Sequence, residues 1–232
     1  MSSISENLNR VRDKIAKAGG AGRVKLLAVS KTFSVEAITE AVDAGQLCFG
    51  ENYAQEACAK VDWFASHYPS LPIEWHFIGA LQSNKTGSVA ERFDWIESLS
   101  RVKIAQRLND QRPPEKGPVN VLVEVNIDDE ENKSGVAVSD LKDFLSSISS
   151  LPRLRVRGLM CVPKAQASDE EKKAAFAQMR KLYQSCIDEG YSFDTLSMGM
   201  SADYELAIEE GSNLVRVGSA IFGARDYSKN RK

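Results

Sequence analysis

The chain has 232 residues, 43% of them hydrophobic, and its 30 basic side chains nearly balance 32 acidic ones, leaving a formal net charge of −2. This length and hydrophobic share predict a folded protein of one large or two small domains and exclude a disordered chain. The balanced charge argues against nucleic-acid and membrane-surface partners, which would need a basic patch. No apolar stretch is long enough to span a bilayer.

The four cysteines point to a reducing compartment. Cys48, Cys58, Cys161 and Cys186 are widely scattered and show no paired ligand spacing, so a zinc site is not expected in a chain with two histidines. The N-terminus also lacks the charged start and apolar run of a signal peptide. We therefore expect reduced thiols and a cytoplasmic protein.

Eight apolar runs of strand length occur along the chain. They begin near Val24, Leu47, Ile73, Asp94, Val119, Arg155, Phe193 and Asn213. Helical patterns lie between most of them, and strands that alternate with helices pair in parallel through right-handed crossovers. The count predicts an α/β protein, a single (β/α)8 TIM barrel domain over residues 1–232, with an additional N-terminal helix at about residues 6–17.

Three serines mark predicted helix starts. Ser34 can cap a helix because apolar residues at helical spacing follow it. Ser139 begins another helix, whose predicted inward residues are Leu141, Phe144, Leu145 and Ile148. Ser168 and Glu171 have the spacing of a capping box, and Gly190 is expected to end the helix that follows.

The loops after the seventh and eighth predicted strands are the expected place for a phosphate, because barrels of this kind commonly bind one there. These loops contain Ser201 and the pair Gly218-Ser219. Glycine lets backbone N–H groups approach a phosphate, and serine adds a hydroxyl donor. Each Gly-Ser step alone is more often a turn, so the prediction depends on their placement at two strand ends.

Lys31 closes the first predicted strand. A free lysine amine is protonated at neutral pH and is a poor nucleophile, but desolvation or a neighbouring cation frees it for imine formation. The strand taken alone favours a lysine that simply reaches solvent. Together with the predicted phosphate site, however, an amine at the barrel mouth predicts pyridoxal 5′-phosphate held as a Schiff base on Lys31.

Arg216 lies inside the last apolar strand, where an arginine is costly unless a charged or strongly accepting group meets it. Two partners are compatible with this position, a structural carboxylate or the pyridine nitrogen of the cofactor. Because arginine stays protonated, the second partner would keep the ring nitrogen unprotonated and the ring a weak electron sink. Such a site would hold the cofactor and give little help to carbanion chemistry.

Six motifs in order along the chain resemble one known family. They are Ala28-Val29-Ser30-Lys31-Thr32, Phe49-Gly50-Glu51-Asn52-Tyr53, Trp75-His76-Phe77-Ile78-Gly79 with Leu81-Gln82-Ser83-Asn84-Lys85, Gly158-Leu159-Met160, Met198-Gly199-Met200-Ser201-Ala202-Asp203, and Val215-Arg216-Val217-Gly218-Ser219-Ala220-Ile221-Phe222-Gly223. Together they resemble the pyridoxal phosphate homeostasis protein family over essentially the whole chain.

The resemblance implies a barrel like the N-terminal domain of alanine racemase, in a cofactor carrier without established catalysis. The cofactor-binding residues that it implies are Lys31 (Schiff base), Arg216 (facing the pyridine nitrogen), Ser201, Gly218 and Ser219 (phosphate), and Asn52 and Met160 (faces of the cofactor). Threonine is usual in the family where Ser219 stands, and both residues supply a hydroxyl. The roles of three further residues stay open. His76 is more often a hydrogen-bonded core histidine than a site residue, and Lys85 is more often a surface lysine at a helix start. Lys133 could relay the aldehyde or only attract the phosphate.

The leading hypothesis is a protein that stores, protects or delivers pyridoxal phosphate, as a monomer in transient contact with apo forms of enzymes that need this cofactor. The alternative is a racemase-like enzyme, which would need a second acid or base opposite the lysine. Barrel racemases take it from a separate C-terminal domain, which we do not expect here, so Tyr53 or Tyr204 would have to substitute. A cofactor-free Schiff-base aldolase is a third reading, and it leaves Arg216 unexplained.

Overall fold

Parallel strands follow one another around a closed barrel. In chain order the strands are β1 (Lys25–Val29), β2 (Cys48–Glu51), β3 (Glu74–Phe77), β4 (Trp95–Leu99), β5 (Val119–Asn126), β6 (Val136–Ala137), β7 (Leu154–Met160), β8 (Thr195–Met200) and β9 (Leu214–Val217). All except β6 form the barrel, which the pairings of β1 with β9 and of β4 with β5 close. The predicted eight-stranded barrel is confirmed, and β6 is an unpredicted addition beside β5.

This computed structural model describes residues 3–130 and 133–224, so the other positions of the predicted 1–232 domain lie outside the described part. The described helices are α1 (Ile4–Ile15), α2 (Val35–Asp43), α3 (Ala54–His67), α4 (Thr86–Arg92), α5 (Val102–Gln111), α6 (Leu141–Ile148), α7 (Asp169–Asp188), α8 (Tyr204–Glu209) and α9 (Ser219–Phe222). The additional N-terminal helix is α1. Of the helices in these ranges, none has the length and apolar character needed to cross a membrane.

Both predicted helix caps are confirmed. The hydroxyl of Ser34 accepts the N–H of Ala37 at the start of α2. At the start of α7 the Ser168 hydroxyl accepts the N–H of Glu171, and the Glu171 carboxylate accepts the N–H of Ser168. These caps were predictable because every partner lies within three residues.

The helix predicted to begin at Ser139 is present with its predicted inward face, but its first turn differs. A 3₁₀ turn over Val138–Asp140 precedes α6, and the helix itself begins at Leu141. The Ser139 hydroxyl donates to the Asp140 carboxylate at 2.8 Å instead of accepting a helical N–H. A 3₁₀ turn, with its tighter i to i+3 hydrogen bonds, therefore takes the place of the first turn of the α-helix.

The apolar core has two layers of very different size. The outer layer lies between the strands and the helices and includes the fully buried Phe49 and Phe176. Alternation along β5 assigns Val121 and Val123 to this layer and Leu122 to the barrel interior. The interior cluster is small and consists of Leu27, Cys48, Trp95, Leu122, Met160 and Leu214. The rest of the interior is therefore available to polar side chains.

Candidate functional site

A cavity of about 400 Å³ opens at the C-terminal ends of the barrel strands. Its lining consists of Val29, Lys31, Asn52, Ile78, Glu124, Met160, Val162, Met200, Ser201, Ala202, Arg216, Gly218 and Ser219. All seven site residues predicted from the sequence are in this lining. They come from five strand ends far apart in the chain, and the parallel barrel brings them together.

A second cavity, of about 490 Å³, lies at the opposite end of the barrel. It is lined by the starts of strands and the loops before them, including Lys25, Cys48 and Glu74, and by none of the seven predicted residues. Sites of (β/α)8 barrels lie at the C-terminal face. The smaller cavity around Lys31 is therefore the candidate site.

Arg216 lies at the inner wall of the candidate cavity and is 4% exposed. Its Nη1 donates to the Ser197 hydroxyl at 2.5 Å, and its Nη2 donates to the carbonyl oxygen of Cys161 at 2.8 Å. Its Nη1 also lies 4.0 Å from Oε2 of Glu97, a fully buried carboxylate. The guanidinium thus has the carboxylate partner that the sequence left open, and it still borders the cavity.

A buried chain of polar side chains, the interior chain, supports Arg216 from below. It runs from Glu74 at the start of β3 through His76, Glu97 and Ser197 to Arg216. His76 Nε2 lies 2.6 Å from Glu74 Oε1, and Nδ1 lies 2.6 Å from Glu97 Oε1. The Ser197 hydroxyl donates to Glu97 Oε2 at 2.7 Å. Each member of the chain is therefore oriented by the next.

The charges in the interior chain follow from these contacts. Burial acts to lower the pKa of His76, but the Cys48 sulfur and the two carboxylates raise it well above its usual value. Burial acts to raise the pKa of Glu97, but His76, Arg216 and Ser197 together lower it. His76 is therefore an imidazolium that donates to both carboxylates, and it stacks on Trp95 at 5.1 Å between ring centroids. This is the hydrogen-bonded core histidine that the sequence suggested.

The start of the interior chain also brings together a set of potential metal ligands that spacing along the sequence does not reveal. The donor atoms of Cys48, Glu74 and His76 lie within 4.8 Å of one another, because β2 and β3 are neighbours in the barrel. The ammonium of Lys25 also bonds to the Glu74 carboxylate. Two cations already neutralise this carboxylate, so an ion-pair network accounts for the cluster.

The wall of the cavity on the β9 side of β1 is made by the loops after β8 and β9. The Ser201 hydroxyl accepts the backbone N–H of Gly218 at 3.1 Å, which ties the two loops together. The Asp203 carboxylate accepts the N–H of Met200 at 2.7 Å and folds the first loop. Ser219 follows directly as the first residue of α9. Hydroxyl and backbone groups of these loops therefore face the same cavity as Lys31.

Glu124 is the charged lining residue that sequence reasoning missed. It lies near the end of β5 and also borders a side cavity of about 360 Å³ that contains Lys133. Burial raises the pKa of Glu124, and the charges of Arg216 and Lys133 act against this rise. A carboxylate in the Val-rich run of residues 119–125 was the available signal.

The other lysines and tyrosines considered from the sequence lie outside the lining of the candidate cavity. Lys85 ends the 3₁₀ turn Ser83–Lys85 before α4. Lys133 pairs with Asp128 at 3.3 Å and Glu130 at 3.2 Å. Tyr53 is 52% exposed and Tyr204 is buried in the outer layer. The described residues thus place neither tyrosine at the cavity.

Three buried side-chain oxygens have no hydrogen-bond partner among the described residues, and all three lie at the ends of β1 and β2. They are Thr32 Oγ1, Glu51 Oε2 and Asn52 Oδ1. Asn52 also lines the cavity, and the backbone of its loop is approached closely by Gly79, where a Cβ atom would lie 2.1 Å from the Asn52 carbonyl oxygen. Buried polar atoms are usually paired, so the Asn52 oxygen marks a point of the cavity lining that is suited to a polar ligand, whereas Thr32 and Glu51 lie outside the lining.

The fold and the cavity together define a class of barrel. Over residues 1–226 the chain matches the family described as alanine racemase, N-terminal domain. The alanine racemase of Corynebacterium glutamicum has the same barrel fold, with a TM-score of 0.75 at 16% identity over 95% of this chain and 61% of that one.

Other relatives are closer and match over their full length. The pyridoxal phosphate homeostasis protein of Vibrio alginolyticus is 51% identical over 98% of this chain and 100% of its own. The pyridoxal phosphate homeostasis protein of Escherichia coli K12 is 49% identical over 99% of this chain and 100% of its own. PipY of Synechococcus elongatus, solved with PLP bound, has a TM-score of 0.85 at 34% identity, and the match covers 95% of this chain and 100% of that one. The chain therefore belongs to the pyridoxal phosphate homeostasis protein family, and the resemblance read from its motifs is confirmed.

Proposed function

We propose that this protein binds pyridoxal 5′-phosphate as a Schiff base on Lys31 and acts in intracellular homeostasis of the cofactor, by storage, protection or delivery, without catalysing a reaction. The observation that carries the proposal is the convergence of all seven predicted residues on one cavity. The names of the full-length relatives and the PLP bound to PipY support the same ligand.

The residues present fit this cofactor. When bound, pyridoxal phosphate supplies an aldehyde that condenses with a primary amine. Lys31 provides that amine just after β1, and Ser201, Gly218 and Ser219 provide hydroxyl and backbone groups for a phosphate at the ends of β8 and of β9, the neighbour of β1. Asn52, which carries a buried oxygen without a described partner, and the apolar Met160 also border the cavity.

Arg216 is the residue that argues for holding the cofactor over using it. In the proposal its guanidinium faces the pyridine nitrogen and, being permanently protonated, leaves that nitrogen without a proton. Ser197, Glu97 and the Cys161 carbonyl fix the guanidinium in place. A ring held in this way is a poor electron sink.

A racemase-like activity on amino acids is the second candidate, and one observation favours it. Glu124 borders the cavity with a raised pKa, which makes it a carboxyl able to carry a proton near the ligand. The tyrosines suggested from the sequence do not border the cavity in the described structure, so Glu124 is the residue on which this alternative depends.

The remaining parts of the proposal concern the setting of the protein. We infer a single cofactor-binding domain over residues 1–232, a monomer, and a cytoplasmic location with transient contacts to apo enzymes that need the cofactor. The exposed large hydrophobic residues of the described ranges are three, Tyr53, Leu71 and Val102, and so small a number supports a monomer. All four cysteines are unpaired, as suits a reducing compartment.

The test is to load the protein with pyridoxal phosphate, record the visible imine band, and follow α-proton exchange of L-amino acids in heavy water by NMR. We expect an imine band that Lys31→Ala loses, and exchange no faster than with free cofactor. Exchange well above free cofactor that is lost in both Lys31→Ala and Glu124→Gln would establish the enzyme instead. A wild-type protein without an imine band would refute the proposed binding.

A further inference from the structure

A second lysine lies beneath the segment that carries Lys31. Lys60 on α3 is 5% exposed, and its ammonium donates to three oxygens: the Ser30 carbonyl at 2.9 Å, Glu51 Oε1 at 2.8 Å and Glu56 Oε1 at 2.6 Å. An ammonium has three donors, and all three are used. This set, Ser30, Glu51, Glu56 and Lys60, is called the Lys60 network below.

The Lys60 network holds the chain on both sides of Lys31. On one side, Ser30 is fixed twice, since its carbonyl accepts from Lys60 and its hydroxyl donates to Glu51 Oε1 at 2.6 Å. On the other side, the backbone N–H of Thr32 donates to Glu56 Oε1 at 2.7 Å. Glu56 Oε1 accepts from both the Thr32 N–H and the Lys60 ammonium. The same ammonium donates to the Ser30 carbonyl, so Lys60 connects the contacts on the two sides of Lys31.

Thr32 shows that these anchors act on the backbone. Its φ is +68°, in the left-handed region that a β-branched residue rarely adopts, and Asp129 is the other described non-glycine residue with positive φ. A backbone conformation of this kind costs free energy, so it persists only where contacts from surrounding residues hold it in place. Two contacts hold this turn: the Thr32 N–H donates to Glu56, and the Phe33 N–H donates to the Ser30 carbonyl at 3.1 Å. The Ser30 carbonyl also accepts from Lys60, so the Lys60 network contacts the turn at both points.

The same network also reaches the end of the neighbouring strand β2. Glu51 ends β2 and directly precedes Asn52, which lines the cavity. Holding Glu51 therefore also holds the start of the loop that carries Asn52. The Lys60 network thus lies between two of the predicted cofactor-binding residues and contacts the main chain or immediate neighbour of each.

We propose that Lys60 is a positioning residue, which through Glu51 and Glu56 sets the backbone around Lys31 so that the amine is directed into the cavity. The inference rests on the proposed function. Lys60 itself does not line the cavity and does not touch the cofactor in this role. Its effect is to limit the directions that Lys31 can take before the cofactor arrives, which is preorganisation of a binding site.

The experiment compares three variants with the wild type at a temperature where circular dichroism shows each to be folded. Lys60→Met removes the centre of the network. Glu56→Gln removes one charge from a side chain that is 30% exposed, so it disturbs the fold least. Arg112→Met is the matched control, because Arg112 is an equally buried cation that binds carbonyl groups of Ala90 and Phe93 before β4.

The readouts are the apparent affinity for pyridoxal phosphate, from the imine band, and the fraction linked to Lys31 after borohydride reduction and peptide mapping. We expect Lys60→Met and Glu56→Gln to lose about tenfold or more in affinity, equivalent to about 1.4 kcal/mol, and to give less linkage at Lys31. Arg112→Met should lose stability and keep the wild-type affinity. Equal affinity in the wild type and both network variants would overturn the inference.

Thr32→Gly separates positioning from loss of stability. Glycine adopts positive φ without strain, so Thr32→Gly combined with Glu56→Gln should recover part of the lost affinity. If the network only stabilised the fold, the added flexibility of glycine would lower affinity further, which would contradict the proposal. A wild type without an imine band would instead refute the proposed function, so the two failures are distinguishable.

Discussion

The outer layer and the interior of this barrel are both buried, yet they are built in opposite ways. Between strands and helices lie large apolar side chains such as Phe49 and Phe176, and alternate strand residues supply them. Inside the barrel six mainly apolar residues leave room for the interior chain from Glu74 to Arg216. The outer layer stabilises mainly by burial of apolar surface, with the Lys60 network between β2 and α3 as a buried ionic exception. In the interior chain each charge has a partner.

The comparison shows where function can be placed in such a fold. Apolar packing tolerates changes of side chain as long as volume is kept. A hydrogen-bonded charge chain fixes specific atoms, and here the last atom that it fixes is the guanidinium at the cavity. The interior therefore has less apolar packing than the outer layer, and its charged groups hold the Arg216 guanidinium in a defined position.

The largest effect is expected in the outer layer. Phe176→Ala removes a fully buried ring on α7 and should lower the free energy of unfolding by about 3–5 kcal/mol. Urea unfolding followed by circular dichroism measures the loss. Val102→Ala, at a 39% exposed position, is the control and should change stability by about 0.5 kcal/mol or less. Equal losses in both variants would show that the outer layer does not dominate stability.

The interior is tested by Glu97→Gln. This change leaves His76 and Arg216 as buried cations without their shared carboxylate, and breaking such a group costs about 3 kcal/mol. It should also weaken binding of pyridoxal phosphate, because Arg216 loses its support. Glu115→Gln, in an exposed loop, is the control and should match the wild type in both urea unfolding and cofactor titration. If Glu97→Gln kept the wild-type free energy of unfolding, the interior would not depend on its paired charges, and the contrast between the layers would be wrong.

Gly79→Ala tests the barrel mouth, where the two layers meet. The added Cβ would lie 2.1 Å from the Asn52 carbonyl oxygen, so the Asn52 loop must move. We expect a loss of about 1–3 kcal/mol in stability and weaker cofactor binding, measured by urea unfolding and by titration of the imine band. Gly87→Ala, whose Cβ would be 3.5 Å from the nearest atom, should keep the affinity. Unchanged binding in Gly79→Ala would mean that Asn52 does not contribute.

The smallest effect is expected at the partly exposed start of the interior chain. Burial acts to raise the pKa of Glu74, but His76 and Lys25 lower it from 4.5 to about 2. A lowered carboxyl pKa stabilises the fold above the unfolded value and loses this contribution as pH falls through the folded value. The difference in unfolding free energy between wild type and Glu74→Gln should therefore shrink from pH 4.5 to pH 2. A difference that stays constant over this range would place the charge of Glu74 outside the stabilising network.

The sequence predicted the parts of the fold that depend on local pattern. All eight barrel strands and the caps at Ser34 and Ser168 were predictable, because their determinants lie within a few residues of one another. Strand β6 was not, since two residues carry no periodic signal. The helix predicted from Ser139 begins at Leu141 instead, because an apolar stripe does not distinguish a 3₁₀ turn from the first turn of a helix.

The candidate site was predictable only in part. Its seven proposed residues came from strand-end positions and from motifs, and they do share one cavity. Lys60 was missed because nothing near it in the chain indicates its burial. Glu97, like Glu124, lies in an apolar strand, but the sequence does not show that His76 and Arg216 are its partners. Lys60 lies on a helix that reads as half exposed, and its partners Ser30 and Glu51 come from β1 and β2. Contacts between elements set such roles, and a single sequence does not record them.

Closure of the barrel has a consequence for how this protein meets others. Each of the eight barrel strands is hydrogen-bonded to a neighbour on both sides, through the ring completed by β4 and β5. The main-chain groups that an open sheet would offer to a visiting strand are therefore already engaged. A partner that accepts the cofactor would be recognised by side chains and loops around the mouth, above all those after β1, β2, β8 and β9. Recognition and release would then take place on the same rim.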